Sequence, residues 1–315
     1  MAAPAFIAGD WGTTHLRLTL CDAAGAPLDS VTGPGISQIQ HEAAATFAEL
    51  IAPWCKQWRN LPSVLCGMVG STIGWANVPY VSCPTAPERI ADSMAEVAEG
   101  TVFIAPGLSC RNRHGAPDVM RGEETQILGA LRLDASLQHG RHLLCLPGTH
   151  TKWTVLENGS VSEFLTSVTG ELFAVVNQHS VLIRAGDSVD PTADATFQRA
   201  LEQVKRFPDA ALSHLLFECR SRQVMGELTR SAAPHFLSGL LIGQDVAAAK
   251  ALFIDVLRSS ATVAIIGTPQ LTRLHAQALA AFDVPAREID GAQASLAGLA
   301  TLHAHRFARE GANVA

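Results

Sequence analysis

No run of lysine or arginine occurs in the sequence, whose 23 basic and 29 acidic residues give a formal net charge of −6 at pH 7. Proteins that bind nucleic acid or an anionic membrane surface use clustered positive charge, which this chain does not offer. No apolar segment reaches the roughly 18 residues that a membrane-spanning helix needs. We therefore expect neither nucleic acid nor a membrane as a partner.

Signals for paired cysteines are also missing. The seven cysteines are scattered, no two form a Cys-x-x-Cys pair, and their number is odd. This pattern fits reduced thiols and disfavours both a disulfide framework and a zinc site. The N-terminal residues show no charged region followed by an apolar stretch, so no signal peptide is predicted. We expect a cytoplasmic protein.

Several common catalytic motifs are absent as well. The sequence contains no Gly-x-x-x-x-Gly-Lys-Ser/Thr phosphate loop, no Gly-x-Gly-x-x-Gly, no Gly-x-Ser-x-Gly and no His-Glu-x-x-His. With 315 residues, of which 48% are hydrophobic, the chain is nevertheless long enough for about two domains with cores of their own.

The first positive signal is a strand–turn–strand unit from Phe6 to Leu20. Its first strand ends at Asp10, and the turn that follows contains Gly12, Thr13 and Thr14. The glycine lets the backbone approach phosphates closely, and the threonines can donate hydrogen bonds to phosphate oxygens. The aspartate can hold Mg²⁺ through its waters. The pattern is typical of a site for a metal-bound triphosphate, although a plain β-hairpin with a polar turn would look the same.

A similar unit recurs between Leu143 and Val161. It has an apolar strand, a turn with Gly148 and Thr149, and a second strand that ends in the tight-turn signal Asn158-Gly159. This copy lacks the aspartate. Two such units predict a duplicated architecture that holds the phosphates of a nucleotide from both sides. The alternative is coincidence, or two ordinary hairpins.

Strands and helices alternate along the chain, which predicts an α/β fold. Further strands are predicted over residues 64–70, 101–105 and 263–267. Helices are predicted over residues 42–58, 88–98, 123–133, 169–179, 270–282 and 292–307, with two or three more between 194 and 250. A short polar stretch at 134–140 is the predicted domain boundary.

Two adjacent carboxylates, Glu123 and Glu124, begin one of these helices, directly after Arg121 and Gly122. One of them can accept the proton of a substrate hydroxyl as it attacks a γ-phosphate. The arginine can hold a substrate carboxylate or the transferred phosphoryl group. Acidic residues are also favoured at helix N-termini by the macrodipole alone, which is the structural alternative.

Small and aromatic residues follow the strand at 64–70. Gly70, Ser71 and Trp75 suit a sugar-like ligand, whose hydroxyls are hydrogen-bonded while its apolar face stacks on an aromatic ring. A glycine-rich loop with a packed tryptophan is equally compatible with this stretch. Gly267 joins a predicted strand to a helix, where adenine or ribose can lie on the backbone, and many α/β turns share that pattern.

With these motifs in view, the chain resembles the superfamily of sugar kinases, heat-shock chaperones and actin, and within it the 2-dehydro-3-deoxygalactonokinase family. The resemblance covers essentially the whole length. Its Arg-Gly-Glu-Glu-Thr-Gln and Pro-Gly-Thr-His strings are specific, whereas Asp-Trp-Gly-Thr-Thr points only to the superfamily. The stretches that carry it are residues 10–14, 66–75, 120–126, 147–153, 165–172 and 236–243.

The resemblance implies two similar actin-like (ribonuclease H-like) domains with a nucleotide cleft between them. Residues 1–134 would carry the first phosphate loop and the sugar-acid site. Residues 135–315 would carry the second phosphate loop and the adenosine site, and the terminal helix 292–307 can pack back on the N-terminal domain. The implied reaction is ATP- and Mg²⁺-dependent phosphorylation of the 6-hydroxyl of 2-dehydro-3-deoxy-D-galactonate.

The resemblance also implies roles for individual residues. Glu123 is the expected general base, with Glu124 second and Arg121 beside them. Mg²⁺ is expected at Asp10, and adenosine at Gly267. The sugar acid is expected at Gly70, Ser71, Trp75 and Arg121. The ATP phosphates are expected at Gly12, Thr13, Thr14, Gly148, Thr149, Thr151 and Lys152.

Three other functions stay open. A kinase for the gluconate epimer differs only in how one inverted hydroxyl is recognised. An actin- or chaperone-like ATPase switch would need a large client-binding domain or polymer contacts, for which the short loops leave little room. A phosphohydrolase acting on polyphosphate would need a strongly basic channel. The sequence does not fix the oligomeric state, and a homodimer is compatible with it.

Overall fold

The computed structural model describes residues 2–39, 42–59, 61–98, 100–183, 192–260 and 262–312. Its strands are β1 (Pro4–Trp11), β2 (His15–Asp22), β3 (Pro27–Pro34), β4 (Ser63–Gly67), β5 (Val81–Ser82), β6 (Ala95–Ala98), β7 (Val102–Ile104), β8 (Leu108–Arg111), β9 (Pro117–Met120), β10 (Arg141–Leu146), β11 (Thr151–Glu157), β12 (Ser160–Ser167), β13 (Val263–Gly267) and β14 (Ala286–Asp290). Its helices are α1 (Ala43–Gln57), α2 (Pro87–Asp92), α3 (Glu123–Leu133), α4 (Thr169–His179), α5 (Ala193–Arg206), α6 (Leu212–Val224), α7 (Ala233–Leu252), α8 (Ile254–Ser259), α9 (Pro269–Ala281) and α10 (Gly291–Ala312).

The chain forms two compact units, each discontinuous in sequence. Unit 1 comprises Met1–Gly140, Leu156–Phe164 and Asp290–Ala315, and unit 2 comprises Arg141–Val155 and Leu165–Ile289. Helix α10 belongs to unit 1, where it packs on α3 and β1. The predicted domains 1–134 and 135–315, with the sites assigned to them, stay a prediction.

The strand orders of the two larger sheets correspond over five strands, and the first sheet has β6 in addition. The first runs β3-β2-β1-β4-β7-β6 and the second runs β12-β11-β10-β13-β14. In each, the strand that precedes the Gly-Thr turn pairs in parallel with the next strand inward, β1 with β4 and β10 with β13. The duplication predicted from the two strand–turn–strand units is therefore confirmed at the level of topology. A small third sheet, β5-β8-β9, leads into helix α3.

Side chains along β1 alternate between the two faces of the first sheet, and a different helix packs on each face. Ile7 and Trp11 lie in a core with Phe47 of α1. Phe6, on the other face, stacks on His303 of α10 with ring centroids 4.0 Å apart. Because side chains along a strand alternate between faces, Asp10 shares the face of Phe6 and lies toward α10.

Helices α3 and α10 cross with their backbones in close contact. A Cβ atom on Gly129 would collide with the carbonyl group of Ala294, and one on Gly298 would collide with that of Thr125. Only glycine allows this approach, which fixes the first turns of α10 beside the start of α3.

The core of unit 2 is built around helix α7, half of whose 20 residues are buried. A Cβ atom on Gly239 of this helix would lie 2.6 Å from the carbonyl oxygen of Phe197, so α5 and α7 pack closely at that point. Phe197, Phe236 and Trp153 are among the largest fully buried side chains. No helix within the described ranges has both the length and the apolar character that crossing a membrane requires.

Most predicted elements are confirmed, one is wrong, and the strand predicted over 64–70 ends at Gly67, after which Met68–Gly70 form a 3₁₀ turn. Helices α1, α3, α4, α9 and α10 match their predictions within a few residues, and the Asn158-Gly159 turn has the positive φ angles, 50° and 77°, that its sequence predicts. The helix predicted over 88–98 ends at Asp92. Residues Ala95–Ala98 instead pair antiparallel with β7 as an edge strand, so backbone pairing overrides local helix propensity there.

Candidate active site

The carboxyl ends of β1 and β4 meet the start of helix α3 in unit 1. Gly67 has a φ of +90°, and a Cβ atom there would lie 2.7 Å from the carbonyl oxygen of Trp11. Gly122, with φ +105°, packs on Gly67 so closely that its Cβ would lie 3.4 Å from the Gly67 Cα. Two glycines thus bring the first turn of α3 against both strand ends.

Asp10 lies at this junction. It pairs across the hairpin with Arg17 and, on the other side, with Cys66 of β4. Burial raises the pKa of the Asp10 carboxyl, the Ser295 hydroxyl and Arg17 lower it, and the nearby Glu123 carboxylate raises it. The Asp10 and Glu123 carboxylates repel each other, and a divalent cation bound between them would offset this repulsion.

Glu123 and Glu124 have different surroundings. Glu124 is 0% exposed and accepts hydrogen bonds from the Gly122 N–H at 2.6 Å and the Thr125 hydroxyl at 3.1 Å. Burial, followed by the Glu123 charge, raises the pKa of Glu124 to about 8, so it is largely protonated at neutral pH. Glu123 is partly exposed and accepts a hydrogen bond from the Arg121 backbone N–H at 3.1 Å.

Arg121 follows the end of β9 and immediately precedes Gly122 and the two glutamates in the chain. Its Nη2 donates to the carbonyl oxygen of Val78 at 2.7 Å, and the guanidinium lies 4.5 Å from the centre of the Tyr80 ring. Its Nε and Nη1 are buried and have no hydrogen-bond partner within the described part of the chain. A Cβ atom on Gly70 would lie 2.7 Å from Nη1, so only glycine leaves room here. The arrangement is a guanidinium with two unused donors.

The other predicted sugar-acid residues lie near this point and make other contacts. The Ser71 hydroxyl donates to the Met68 carbonyl oxygen at 2.7 Å within its own turn. The Trp75 ring packs against Phe47, with centroids 5.5 Å apart. The structure therefore brings Gly70 and Arg121 together, while sugar binding by Ser71 and Trp75 stays a prediction.

The first predicted phosphate turn is exposed at Thr13 and Thr14. The carbonyl oxygens of Gly12 and Thr13 accept hydrogen bonds from the backbone N–H groups of Ile36 and Ser37, both at 3.1 Å. No hydrogen bond among the described residues takes up the backbone N–H groups of Thr13 and Thr14. The turn is held in place by its carbonyl groups, and its donors remain available to an anion.

The second predicted phosphate turn, in unit 2, packs on the start of helix α4. The carbonyl oxygen of Thr149 accepts from the Glu171 N–H at 2.8 Å. A Cβ atom on Gly170 would collide with the carbonyl oxygen of Gly148, so the glycine allows the helix to approach the turn.

Two further predicted phosphate ligands follow on β11. Thr151 and Lys152 are buried, with 1% and 5% of their surfaces exposed. The Lys152 amine donates to the His150 carbonyl oxygen at 3.1 Å. Their contact with ATP stays a prediction.

A mostly buried aspartate that the sequence did not suggest supports this turn. Asp245 of α7 accepts hydrogen bonds from the Trp153 indole at 3.0 Å and the Thr169 hydroxyl at 2.8 Å. Burial raises the pKa of its carboxyl, and these hydrogen bonds, together with one from Ser167, oppose that shift. The Asp245 carboxylate thus connects β11, α4 and α7. The sequence offered one signal for this role, an acidic residue in a mostly apolar helix.

A cavity of about 230 Å³ lies next to the second turn in unit 2. Gly267, the predicted adenosine residue, packs against Pro147 and does not line it. The side chains around the cavity are apolar on several sides, with a few polar groups and one buried histidine. They include Phe173, Leu241, Ile242, Leu274, Ser238, Gln270 and His275, and Gly148 and Thr151 also line the cavity.

No group of three or more histidine, cysteine, aspartate or glutamate side chains among the described residues could bind a metal ion by itself. The two neighbouring carboxylates of Asp10 and Glu123 suit Mg²⁺. This ion keeps several waters and is held by one or two carboxylates together with substrate phosphates.

Comparison with known proteins decides the family. The family model described as 2-keto-3-deoxy-galactonokinase matches residues 10–302. The chain belongs to this family. It is 33% identical over 304 residues to the 2-dehydro-3-deoxygalactonokinase of Escherichia coli (strain K12), covering 96% of this chain and 98% of that protein.

Solved structures agree with this family. A crystal structure of a Sinorhizobium meliloti protein, assigned as a 2-dehydro-3-deoxygalactonokinase, is 33% identical with a TM-score of 0.83, covering 95% of this chain and 98% of that one. The activator of 2-hydroxyisocaproyl-CoA dehydratase from Clostridium difficile, solved with bound ADPNP, has a TM-score of 0.51 at 11% identity, and covers 98% of this chain and 97% of that one. The second likeness shows the fold alone.

Family membership confirms the resemblance predicted from the sequence. The chain is a sugar-acid kinase with the α/β, actin-like fold of that superfamily, and it uses ATP. The predicted cleft and the role of each site residue stay predictions.

Proposed function

We propose that this protein transfers the γ-phosphoryl group of ATP to the 6-hydroxyl of 2-dehydro-3-deoxy-D-galactonate. The observation that carries the proposal is the Arg121 guanidinium, whose buried Nε and Nη1 have no hydrogen-bond partner in the described ranges. A carboxylate can bind one edge of this guanidinium in a charge-assisted pair, using Nη1 or Nε together with the second proton of Nη2. A substrate with a carboxylate group, as in a sugar acid, supplies such an acceptor.

Glu123 is the general base in this proposal. It is partly exposed, and its carboxylate accepts a hydrogen bond from the Arg121 backbone N–H at 3.1 Å. Glu124 is an unsuitable base because burial keeps it protonated at neutral pH. The proton that leaves the substrate hydroxyl therefore passes to Glu123.

The phosphates of ATP bind the Gly-Thr turns. In unit 1, the N–H groups of Thr13 and Thr14 are available donors, and Gly12 leaves the backbone accessible. In unit 2, Gly148 and Thr149 offer a second turn of the same kind, with Thr151 and Lys152 following it on β11. The adenosine part of ATP binds near Gly267 in this proposal.

Asp10, with Glu123 close to it, would hold Mg²⁺. The ion, when bound, neutralises negative charge on the phosphates. The chain's own contribution is position, since Ser295 and Arg17 hold the Asp10 carboxylate at the end of β1.

A coupled ADP-release assay over a panel of sugar acids and free sugars tests the proposal. We expect turnover with 2-keto-3-deoxy acids, faster with the galactonate than with the gluconate epimer, and little with uncharged aldoses. Comparable rates with aldoses, or ADP release that does not depend on any sugar acid, would overturn it. A homodimer and a cytoplasmic location stay predictions.

A further inference from the structure

The cavity beside the second Gly-Thr turn contains a histidine that no step above uses. His275 of α9 lines the cavity and is 2% exposed. A buried polar group normally has a hydrogen-bond partner, because leaving it without one is costly. The Nε2 atom of His275 has none within the described part of the chain.

The tautomer of this histidine follows from its one hydrogen bond. The Nδ1 atom lies 2.9 Å from the carbonyl oxygen of Leu271, one turn earlier in the helix. A carbonyl oxygen can only accept, so Nδ1 carries a proton and donates it. Burial lowers the pKa of His275 to about 4, so the ring is neutral at physiological pH. The Nε2 atom is therefore a hydrogen-bond acceptor without a donor.

The cavity has the chemistry of a purine site. Phe173, Leu241 and Leu274 provide apolar surface for a flat ring, and Gly148 and Thr151 of the phosphate-binding segment line the same space. A nucleotide whose phosphates bind that segment would bring its base into reach of the cavity. The base must then supply a donor for His275.

We propose that His275 Nε2 accepts a hydrogen bond from the 6-amino group of adenine and thereby selects adenine nucleotides over 6-oxopurine nucleotides. The inference rests on the proposed function in one respect, namely that ATP is the phosphoryl donor. In a 6-oxopurine an acceptor oxygen replaces the amino group, so two acceptors would face each other in a buried site. Sites built to pair with a donor reject analogues that lack it.

The test is calorimetric binding of ADP and of IDP to the whole protein, without sugar acid. We expect the wild type to bind ADP about ten- to a hundredfold more tightly than IDP. His275→Phe keeps the ring shape and removes the acceptor. The ratio of its affinity for ADP to its affinity for IDP should fall close to one. His275→Gln places an amide oxygen near the position of Nε2 and should retain most of the preference.

His303→Phe is the matched control. Burial also lowers the pKa of His303 to about 4, but this side chain is only partly buried, stacks on Phe6 in unit 1 and does not line the cavity. The ratio of ADP affinity to IDP affinity of the His303→Phe variant should equal that of the wild type. Thermal unfolding of each variant shows whether it is folded.

Equal wild-type affinities for ADP and IDP would overturn the proposal, whatever the variants do. A folded His275→Phe variant with the full preference, or a His275→Gln variant that loses it, would also overturn it. The readout does not depend on turnover, so its failure can be told from failure of the sugar-acid kinase activity in the ADP-release assay.

Discussion

Glu123 and Glu124 are neighbours in the chain, yet their carboxylates occupy opposite environments. Glu124 turns into the protein, where it is fully buried and accepts the Gly122 N–H at 2.6 Å. Glu123 remains partly exposed beside Arg121 and near Asp10. One of the pair thus secures the start of α3, and the other is partly exposed.

This difference predicts the effect of two matched substitutions on turnover. Glu123→Gln should lower kcat by about 10²–10⁴, with little change in the KM for ATP, because a positioned base is lost. Glu124→Gln should keep kcat within about tenfold of wild type, since the amide can still accept from Gly122. Steady-state kinetics checks both variants. The opposite ranking would reassign the base to Glu124.

Glu124 should also shape the pH dependence of stability. Its pKa is about 8 in the folded protein, against 4.5 for an unperturbed glutamate, so the folded state binds more protons than the unfolded state between these values. Its contribution to stability is therefore present below pH 4.5 and is lost as pH rises through about 8. Between about pH 5 and about pH 8.5, the free energy of unfolding of Glu124→Gln should therefore rise relative to that of wild type by on the order of 3–4 kcal/mol, at about 1.4 kcal/mol per pKa unit.

Urea unfolding at these two pH values measures that difference directly. Glu49→Gln on α1 is the control, because that carboxylate is exposed and does not contribute to the pKa of Glu124. A difference between wild type and Glu124→Gln that is the same at both pH values would show that the Glu124 carboxyl titrates alike in the folded and unfolded states.

Asp10→Asn should impair Mg²⁺-dependent turnover more than sugar-acid binding, because the carboxylate acts on the metal. The measurement is kcat as a function of Mg²⁺ concentration, together with calorimetry of sugar-acid binding without nucleotide. Lost sugar-acid affinity with normal use of Mg²⁺ and ATP would move Asp10 to the substrate side.

Arg121→Lys keeps the positive charge and removes the guanidinium fork. If the fork binds the substrate carboxylate, the KM for the sugar acid should rise by about ten- to a hundredfold while the KM for ATP is unchanged. A defect confined to the KM for ATP would place Arg121 on the transferred phosphoryl group instead.

Gly35→Ala should disturb the first phosphate turn from outside it. A Cβ atom at this position would overlap the backbone of Thr13 and Thr14. We expect the KM for ATP to rise by about tenfold or more, because small displacements of binding groups are costly. Gly33→Ala, two residues earlier, would meet the end of the flexible Leu50 side chain and should leave that KM unchanged. Equal effects of the two variants would argue against a role of the turn in ATP binding.

Much of the fold could be predicted because its signals are local. Short stretches of sequence are enough to predict the Asn158-Gly159 turn, the apolar strands and the start of α3 after Gly122. The structure has each of them. The strand at Ala95–Ala98 could not be predicted, since its conformation depends on pairing with β7.

The site was predictable only in part, for the same reason. Arg121 and Glu123 lie in one motif, whereas Ser295 reaches Asp10 from a helix that begins only at Gly291. Asp245 and His275 also act through contacts that the linear sequence does not show, the first with Trp153 and Thr169 and the second at a cavity wall. Tertiary packing, not local pattern, determines these positions.

The central claim, transfer of phosphate to a sugar acid, is tested most directly by identifying the product. Wild-type protein is incubated with ATP, Mg²⁺ and 2-dehydro-3-deoxy-D-galactonate, and the product is examined by phosphorus–proton correlation NMR and mass spectrometry. We expect a single sugar-acid monophosphate whose phosphorus couples to the protons on carbon 6. Inorganic phosphate as the only phosphorus product, or phosphate on another hydroxyl, would contradict it.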